Sequence, residues 1–261
     1  MDWIFLSAAA GFGLLWGSFL NVVIYRLPKT DIAGLRQRTP YTLTYLAFPL
    51  SFCPRCREPI APWYNIPVLS YLLLGAKSKC CREPISWVYP VIELCGAGMF
   101  VLAFLLSDGL LNALLAIVFM SLLLVNAAID WQRFYLLDII TYPLLWIGLV
   151  ANIDARFALL SDAVWGAAGG YVVMAVFSWI FSRLIGQRAM GMGDYKLFAA
   201  LGAWLGWQLL PMVLFLAAIT AVIFGGCRRL IRGRGRHVPF GPSLSLAGVL
   251  MLFFGEEIML A

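Results

Sequence analysis

One histidine, His237, is all the imidazole in the 261 residues, and only 12% of the residues are charged. The first shortage removes two common routes to hydrolysis. A zinc protease of the His-Glu type needs a second histidine. A Ser-His-Asp triad would have to be built on His237, which sits in an arginine-rich loop where a solvated side chain is the ordinary expectation. The second shortage removes the soluble class. Globular domains are about half apolar and about a quarter charged, whereas this chain is 62% hydrophobic with a mean hydropathy of +0.89. The sequence also reads as free of internal repeats, low-complexity tracts and heptads.

What remains is a series of apolar runs of about 20 residues, each long enough to cross a hydrocarbon core of roughly 30 Å. The reading is an all-α polytopic membrane protein of eight transmembrane helices, near 3–25, 88–106, 110–129, 138–153, 162–184, 194–205, 208–226 and 239–258. The first run has no basic lead and no clear cleavage site, so it is expected to be a retained helix and not a signal peptide. The sixth is short and interrupted by Gly202 and Gly206, which suits a partial helix packed among its neighbours. Three regions follow: a first helix at 1–25, a polar cysteine-containing segment at 26–87, and a helical membrane core at 88–261.

The net charge of +6 would point to nucleic acid in a soluble protein. Here its distribution points elsewhere. Loops 26–87, 130–137, 183–196 and 227–238 hold eighteen of the nineteen Lys and Arg, and Arg156 alone falls on the opposite side. By the positive-inside rule the polar segment is cytoplasmic and both termini face the periplasm. The basic face reports topology or meets anionic lipid headgroups, and no nucleic-acid partner is expected. A cytoplasmic segment is a reducing one, so its cysteines are not expected to be disulfide-bonded.

Thirteen acids are few enough to sort singly, and four fall at the cytoplasmic ends of spans. Asp194 follows Gly191-Met192-Gly193, and the glycines would let the chain turn sharply into a helix that Asp194 caps from its N-cap position. Asp138 is expected to be a cap ahead of Ile139-Ile140-Thr141. Glu93, near the start of the second span, is left between pairing, snorkelling and service to a site. Asp130 has no structural reason on this reading. It ends an apolar run, and a negative charge at a helix C-terminus opposes the macrodipole at a cost of up to about 1 kcal/mol.

Asp130 and Asp194 share one membrane depth on two helices, so they can form a carboxyl dyad. A helix start suits a charged Asp194 and a helix end suits a protonated Asp130. One would activate water and the other would protonate the scissile carbonyl, which is aspartic-protease chemistry without a cofactor. The rival classes are a transporter using Asp130, Asp194 and Glu93 as ion ligands, and an assembly protein indifferent to both aspartates. Transporter sites lie near the bilayer midplane and these acids do not.

The ordered motifs Gly17-Ser18-Phe19-Leu20-Asn21, Cys53-Pro54-Arg55-Cys56, Asn65-Ile66-Pro67-Val68-Leu69-Ser70-Tyr71, Pro84-Ile85-Ser86, Tyr89-Pro90-Val91-Ile92-Glu93, Ile129-Asp130 with Asp138, and Gly191-Met192-Gly193-Asp194 together resemble the type IV prepilin peptidases. These are leader peptidases and N-methyltransferases of type IV pilus and type II secretion systems, working in the bacterial inner membrane. The resemblance implies that Asp130 and Asp194 are catalytic. It also implies that a basic leader is cut from a prepilin or pseudopilin after glycine on the cytoplasmic side, and that the new N-terminus is methylated with S-adenosylmethionine. Gly191 and Gly193 would leave room for an extended substrate, with Glu93, Asp138 and Lys196 as supporting residues. No methyl-donor motif is legible.

Many relatives carry two Cys-x-x-Cys pairs, which suit tetrahedral zinc. Here the first pair is intact, but Ser78 stands in the second and Cys80 has appeared beside Cys81. Cys53, Cys56, Cys80 and Cys81 are the expected ligands of a structural zinc. Cys95 and Cys227 are expected to be small packing residues.

Overall fold

The computed structural model describes residues 3–34, 51–186, 190–232 and 239–260. His237, Arg36, Arg38, Arg188, Arg234 and Arg236 lie outside the described residues, as does the side chain of Cys227. The chain divides into two compact units, Met1–Ile117 and Val118–Ala261.

The first unit contains α1 (Trp3–Gly34), the short α2 (Leu69–Leu73) and α3 (Val88–Leu106), and it ends inside α4 (Leu110–Arg133). Small residues bring α1 and α3 together, as is usual where lipid removes the hydrophobic drive between helices. A Cβ on Gly13 would lie 2.5 Å from the Gly96 carbonyl oxygen, and one on Gly17 would lie 2.7 Å from Glu93 Cα. The helix of α1 continues past the expected end at residue 25, through Arg26 and Pro28 to Gly34. Its apolar span ends at Pro28. Hydropathy marks where the membrane stops, whereas a helix stops where its backbone bonds do.

The second unit takes the rest of α4 and adds α5 (Asp138–Ala151), α6 (Leu160–Ile185), α7 (Met192–Leu205), α8 (Leu210–Arg232) and α9 (Gly241–Leu260). Eight long helices thus stand among the described residues, close to the eight expected. Four of them, Trp3–Pro28, Val88–Leu106, Leu110–Arg133 and Leu160–Ile185, are long and apolar enough to cross a membrane by themselves. By contrast, α5 and α7 have 14 residues each, or about 21 Å at 1.5 Å per residue. They are shorter than the hydrocarbon is thick.

The short α7 is the centre of its unit. Its residues Leu197 to Leu205 are buried without interruption. It crosses α6 where Gly166 and Gly202 meet, and a Cβ on Gly202 would lie 2.3 Å from the Gly166 carbonyl oxygen. Trp204, fully buried, stacks at 4.8 Å on Phe119 and donates its indole N–H to the Leu144 carbonyl at 2.8 Å. Gly148 makes the space for that indole, since a Cβ there would lie 2.4 Å from it.

The last turn of α7 would leave carbonyls unsatisfied in an apolar surrounding, and Asn152 answers that need. Its Nδ2 donates to the Ala203 and Trp204 carbonyls at 2.9 and 3.0 Å. Its Oδ1 accepts the N–H groups of Phe157 and Ala158 at 3.0 and 3.1 Å. Asn152 is fully buried, so removing it orphans four backbone groups at once. Asn152→Ala is expected to cost about 2–4 kcal/mol, read as a lower melting temperature in detergent. Unchanged melting would contradict the clamp.

Candidate active site

Asp194 sits in the third position of α7, three residues further in than the expected cap position. The N-cap is Gly191. The Asp194 carboxylate reaches back to accept the Gly191 N–H at 3.2 Å, satisfying a donor that the helix start leaves free.

Asp130 has the structural partner that the sequence did not disclose. Its Oδ2 accepts the N–H of Gly241 at 2.9 Å, and Gly241 is the first residue of α9. The acid at the end of α4 therefore faces the start of another helix, and the adverse end of its own is offset. Each aspartate thus accepts one backbone N–H at a helix start, Asp130 from α9 and Asp194 from α7. Asp130 is buried and Asp194 is half-buried. Leu136, buried in the connection from α4 to α5, touches both flanking glycines. A Cβ on Gly193 would lie 2.8 Å from Leu136 Cβ, and one on Gly241 would lie 3.1 Å from Leu136 Cδ2 and 2.6 Å from Asp130 Oδ2.

The glycines of the Gly-x-Gly-Asp stretch make no unusual turn. Gly191 has φ −74°, a conformation open to any residue, and Gly193 is helical. Gly193 is required by the approach of Leu136. Around Gly191 there is space, with Asp194 Oδ2 at 3.4 Å from an added Cβ.

The other candidates separate. Asp138 caps nothing with its side chain; it is the first residue of α5 and pairs with Lys196 through both oxygens at 2.8 and 2.7 Å. This half-exposed pair ties the start of α5 to the start of α7, and Lys196 also lies over the Tyr142 ring at 5.2 Å. Glu93 belongs to the first unit. It accepts the Val68 N–H at 2.8 Å and bonds to Ser18. Val68 has φ +59°, which is strained for a β-branched residue, so Glu93 holds the tight turn before α2.

The sulfur atoms of Cys53, Cys56, Cys80 and Cys81 all lie within 4.8 Å of one another. Two matching knuckles present them. Phe52 bridges Pro59 in one and Lys77 bridges Pro84 in the other. The Cys53 N–H donates to the Glu58 carbonyl as the Ser78 N–H does to that of Glu83. These knuckles are an internal repeat, contrary to the expectation of none, and it is written in the chain as Cys56-Arg57-Glu58-Pro59-Ile60 and Cys81-Arg82-Glu83-Pro84-Ile85. Ser78 holds the place of Cys53 in the second knuckle, and Cys80 brings its thiol to Ser78 Oγ at 2.9 Å and Cys56 Sγ at 3.2 Å. Cys53 is drawn down to about 6, first by the backbone N–H of Cys56. Against the N–H of Glu58, Cys80 and Cys53 push Cys56 up to about 12. Crowded thiols cannot all ionise without a cation among them. Cys95 lies exposed on α3.

With this geometry in place the comparisons are decisive. The model of the bacterial peptidase A24 N-terminal domain matches residues 12–107, and that of the type IV leader peptidase family matches 117–226. The chain belongs to the type IV leader peptidase family. It is 47% identical to a prepilin leader peptidase/N-methyltransferase of Klebsiella pneumoniae, over 84% of this chain and 91% of that one. Proteins of the same description from Aeromonas hydrophila and Pseudomonas aeruginosa are 40% and 39% identical over 99% and 94% of this chain, and over 93% and 89% of theirs. No solved structure matches. The family's peptidase match holds both Asp130 and Asp194, and its N-terminal match holds Glu93 and the cysteine set.

The contacts predict unequal glycines. Gly193→Ala is expected to lower leader cleavage by about a hundredfold by displacing the start of α7, since misplacements of about 1 Å have effects of that size. Gly191→Ala should stay within a few-fold of the native rate. A rate assay on both variants checks this, and equal losses would contradict it.

Proposed function

We propose that Asp130 and Asp194 are the catalytic pair of this leader peptidase and act as one aspartic dyad. The observation that supports this most is that Leu136 lies against both Gly193, which precedes Asp194, and Gly241, whose N–H Asp130 accepts. Two carboxyls so placed share a proton, because both cannot ionise cheaply. The charged member takes a proton from water as the water oxygen attacks the scissile carbonyl. The protonated member gives its proton to the carbonyl oxygen. The proton taken from water then passes to the amide nitrogen, the C–N bond breaks and the amine leaves, and a hydroxyl proton of the collapsing tetrahedral intermediate returns to the other carboxylate. Which aspartate plays which part belongs to the pair as a unit. The Asp138–Lys196 pair holds α5 against α7 beside the dyad and needs no part in the chemistry.

The substrate in this reading is a prepilin or type II pseudopilin, cut on the cytoplasmic side of the bacterial inner membrane, with both termini of the enzyme periplasmic. The one-sided distribution of Lys and Arg supports that orientation. The transporter reading loses its ground with family membership. The relatives' second activity implies S-adenosylmethionine as methyl donor. Methyl transfer is assigned to no residue.

Zinc fits better. Four thiolates on a tetrahedral ion with bonds of about 2.3 Å stand roughly 3.8 Å apart. Cys53 and Cys81 are 3.8 Å apart and Cys80 and Cys81 3.9 Å apart, while Cys56 and Cys80 stand closer, at 3.2 Å. Cys53, Cys56, Cys80 and Cys81 would hold the ion and tie the two knuckles together, a structural role.

Purified protein in detergent, incubated with a prepilin and the methyl donor, should remove the leader and add one methyl group by mass analysis. Asp130→Asn or Asp194→Asn should lower cleavage by about a thousandfold or more, and near-normal turnover in either would refute the dyad. Metal analysis should find one zinc per chain, lost on Cys53→Ser; zinc-free protein would refute the site.

A further inference from the structure

Three leucines of the short α2 are left uncovered among the described residues. Leu69, Leu72 and Leu73 stand at i, i+3 and i+4, which is one face of a helix, and they are 49%, 67% and 78% exposed. On the other side Ser70 and Tyr71 are half-buried, and Ser70 turns its hydroxyl back to the Ile66 carbonyl at 2.6 Å. The turn Pro62–Asn65 lies against α2 and adds Trp63, 74% exposed. Single apolar side chains are ordinary on a surface, but a contiguous group marks a place of contact.

The depth of α2 identifies the contact. α3 has 19 residues, about 28 Å at 1.5 Å per residue, so its whole length is spent in crossing a hydrocarbon core of roughly 30 Å. Glu93 is the sixth residue of α3, about 8 Å in from its start. The Val68 N–H donates to Glu93 at 2.8 Å, and Val68 immediately precedes α2. The head of α2 is therefore pinned to a membrane helix at the edge of the hydrocarbon. With five residues, α2 is only about 8 Å long, so its leucine face cannot stand far from that edge.

The neighbours of the face agree with that depth. Lys79 donates to the Tyr64 hydroxyl and lies over the Tyr64 ring at 4.5 Å. Trp87, also exposed, is the N-cap of α3. Trp, Tyr and Lys beside an apolar face suit the membrane–water boundary, where ring or stem is apolar and the tip is wet. The strained φ of +59° at Val68 is held by the same Glu93 bond, and such strain persists only where its surroundings impose it.

We propose that Leu69, Leu72 and Leu73, with Trp63, form a membrane-seating face that enters the acyl–headgroup boundary of the leaflet on its own side. The second knuckle begins at Lys77, whose N–H donates to the Leu74 carbonyl at 3.2 Å. The cysteine set thus stands on the membrane surface and is not carried free in solvent. Nothing in this depends on the aspartic dyad.

The test uses the full-length native protein in vesicles of phosphatidylcholine and phosphatidylglycerol that contain a phospholipid with a diazirine on its acyl chain. After illumination and digestion, mass analysis should find lipid adducts on residues 63–73 as well as on α1 and α3. Adducts on α1 and α3 with none on 63–73 would overturn the proposal. A second measurement separates lipid from protein as the occupant. Leu72→p-benzoyl-phenylalanine should yield a phospholipid adduct on illumination, as the same substitution at Leu102, exposed on α3, should. A cross-linked dimer, or an adduct to another segment of the same chain, would show that protein covers the face and would equally overturn it. Leu72→Ser combined with Leu73→Ser should lose most of the lipid adducts on 63–73 and keep those on α3; unchanged labelling of 63–73 would contradict the role of the leucines.

Discussion

A carboxylate inside an apolar bundle must be given donors, and in this molecule the donors are helix starts. Asp194 accepts the Gly191 N–H ahead of its own helix, and Asp130 accepts the Gly241 N–H at the head of α9. Backbone donors at a helix start are fixed in place and carry partial positive charge. They hold two acids where side-chain cations would otherwise be needed. Much of the second unit serves that arrangement. Asn152 and Trp204 anchor the far end of α7, Asp138 and Lys196 anchor its near end, and Leu136 spaces Gly193 from Gly241.

The short central helix explains why a membrane enzyme can afford such a site. At 14 residues α7 is too short to cross the hydrocarbon, so its N–H groups and the acid beside them start within the helical bundle. They are tolerable because neighbouring helices enclose them. Glycine seams make the enclosure tight. At Gly166 and Gly202 the backbones are in contact, an approach that any side chain would prevent.

The apolar runs made eight helices legible, because burial in lipid leaves a plain mark on composition, though not the ends of α1 and α8, which run on to Gly34 and Arg232. Asp130 and Asp194 stood out because acids are so few in the chain. The partner of Asp130 did not, since Gly241 is 111 residues away in sequence and a backbone donor leaves no trace in residue type. The role of the glycines was misread for a similar reason. A glycine before an acid suggests a turn, but Gly193 is small because Leu136, from another connection, lies on it. Asp138 was read as a cap because its partner Lys196 is equally remote. The repeat Cys-Arg-Glu-Pro-Ile was in plain view in the chain; the substitution of Ser78 for a cysteine hid it from a search for paired Cys-x-x-Cys motifs.

Whether two acids form one catalytic unit is decided most directly by comparing the Asp130→Asn/Asp194→Asn double variant with each single variant in prepilin cleavage. Members of one unit do not contribute additively. The account predicts that both singles and the double fall to the same residual rate while the proteins stay folded. A double variant slower than the singles by the product of their separate losses would show two independent contributions and contradict the dyad.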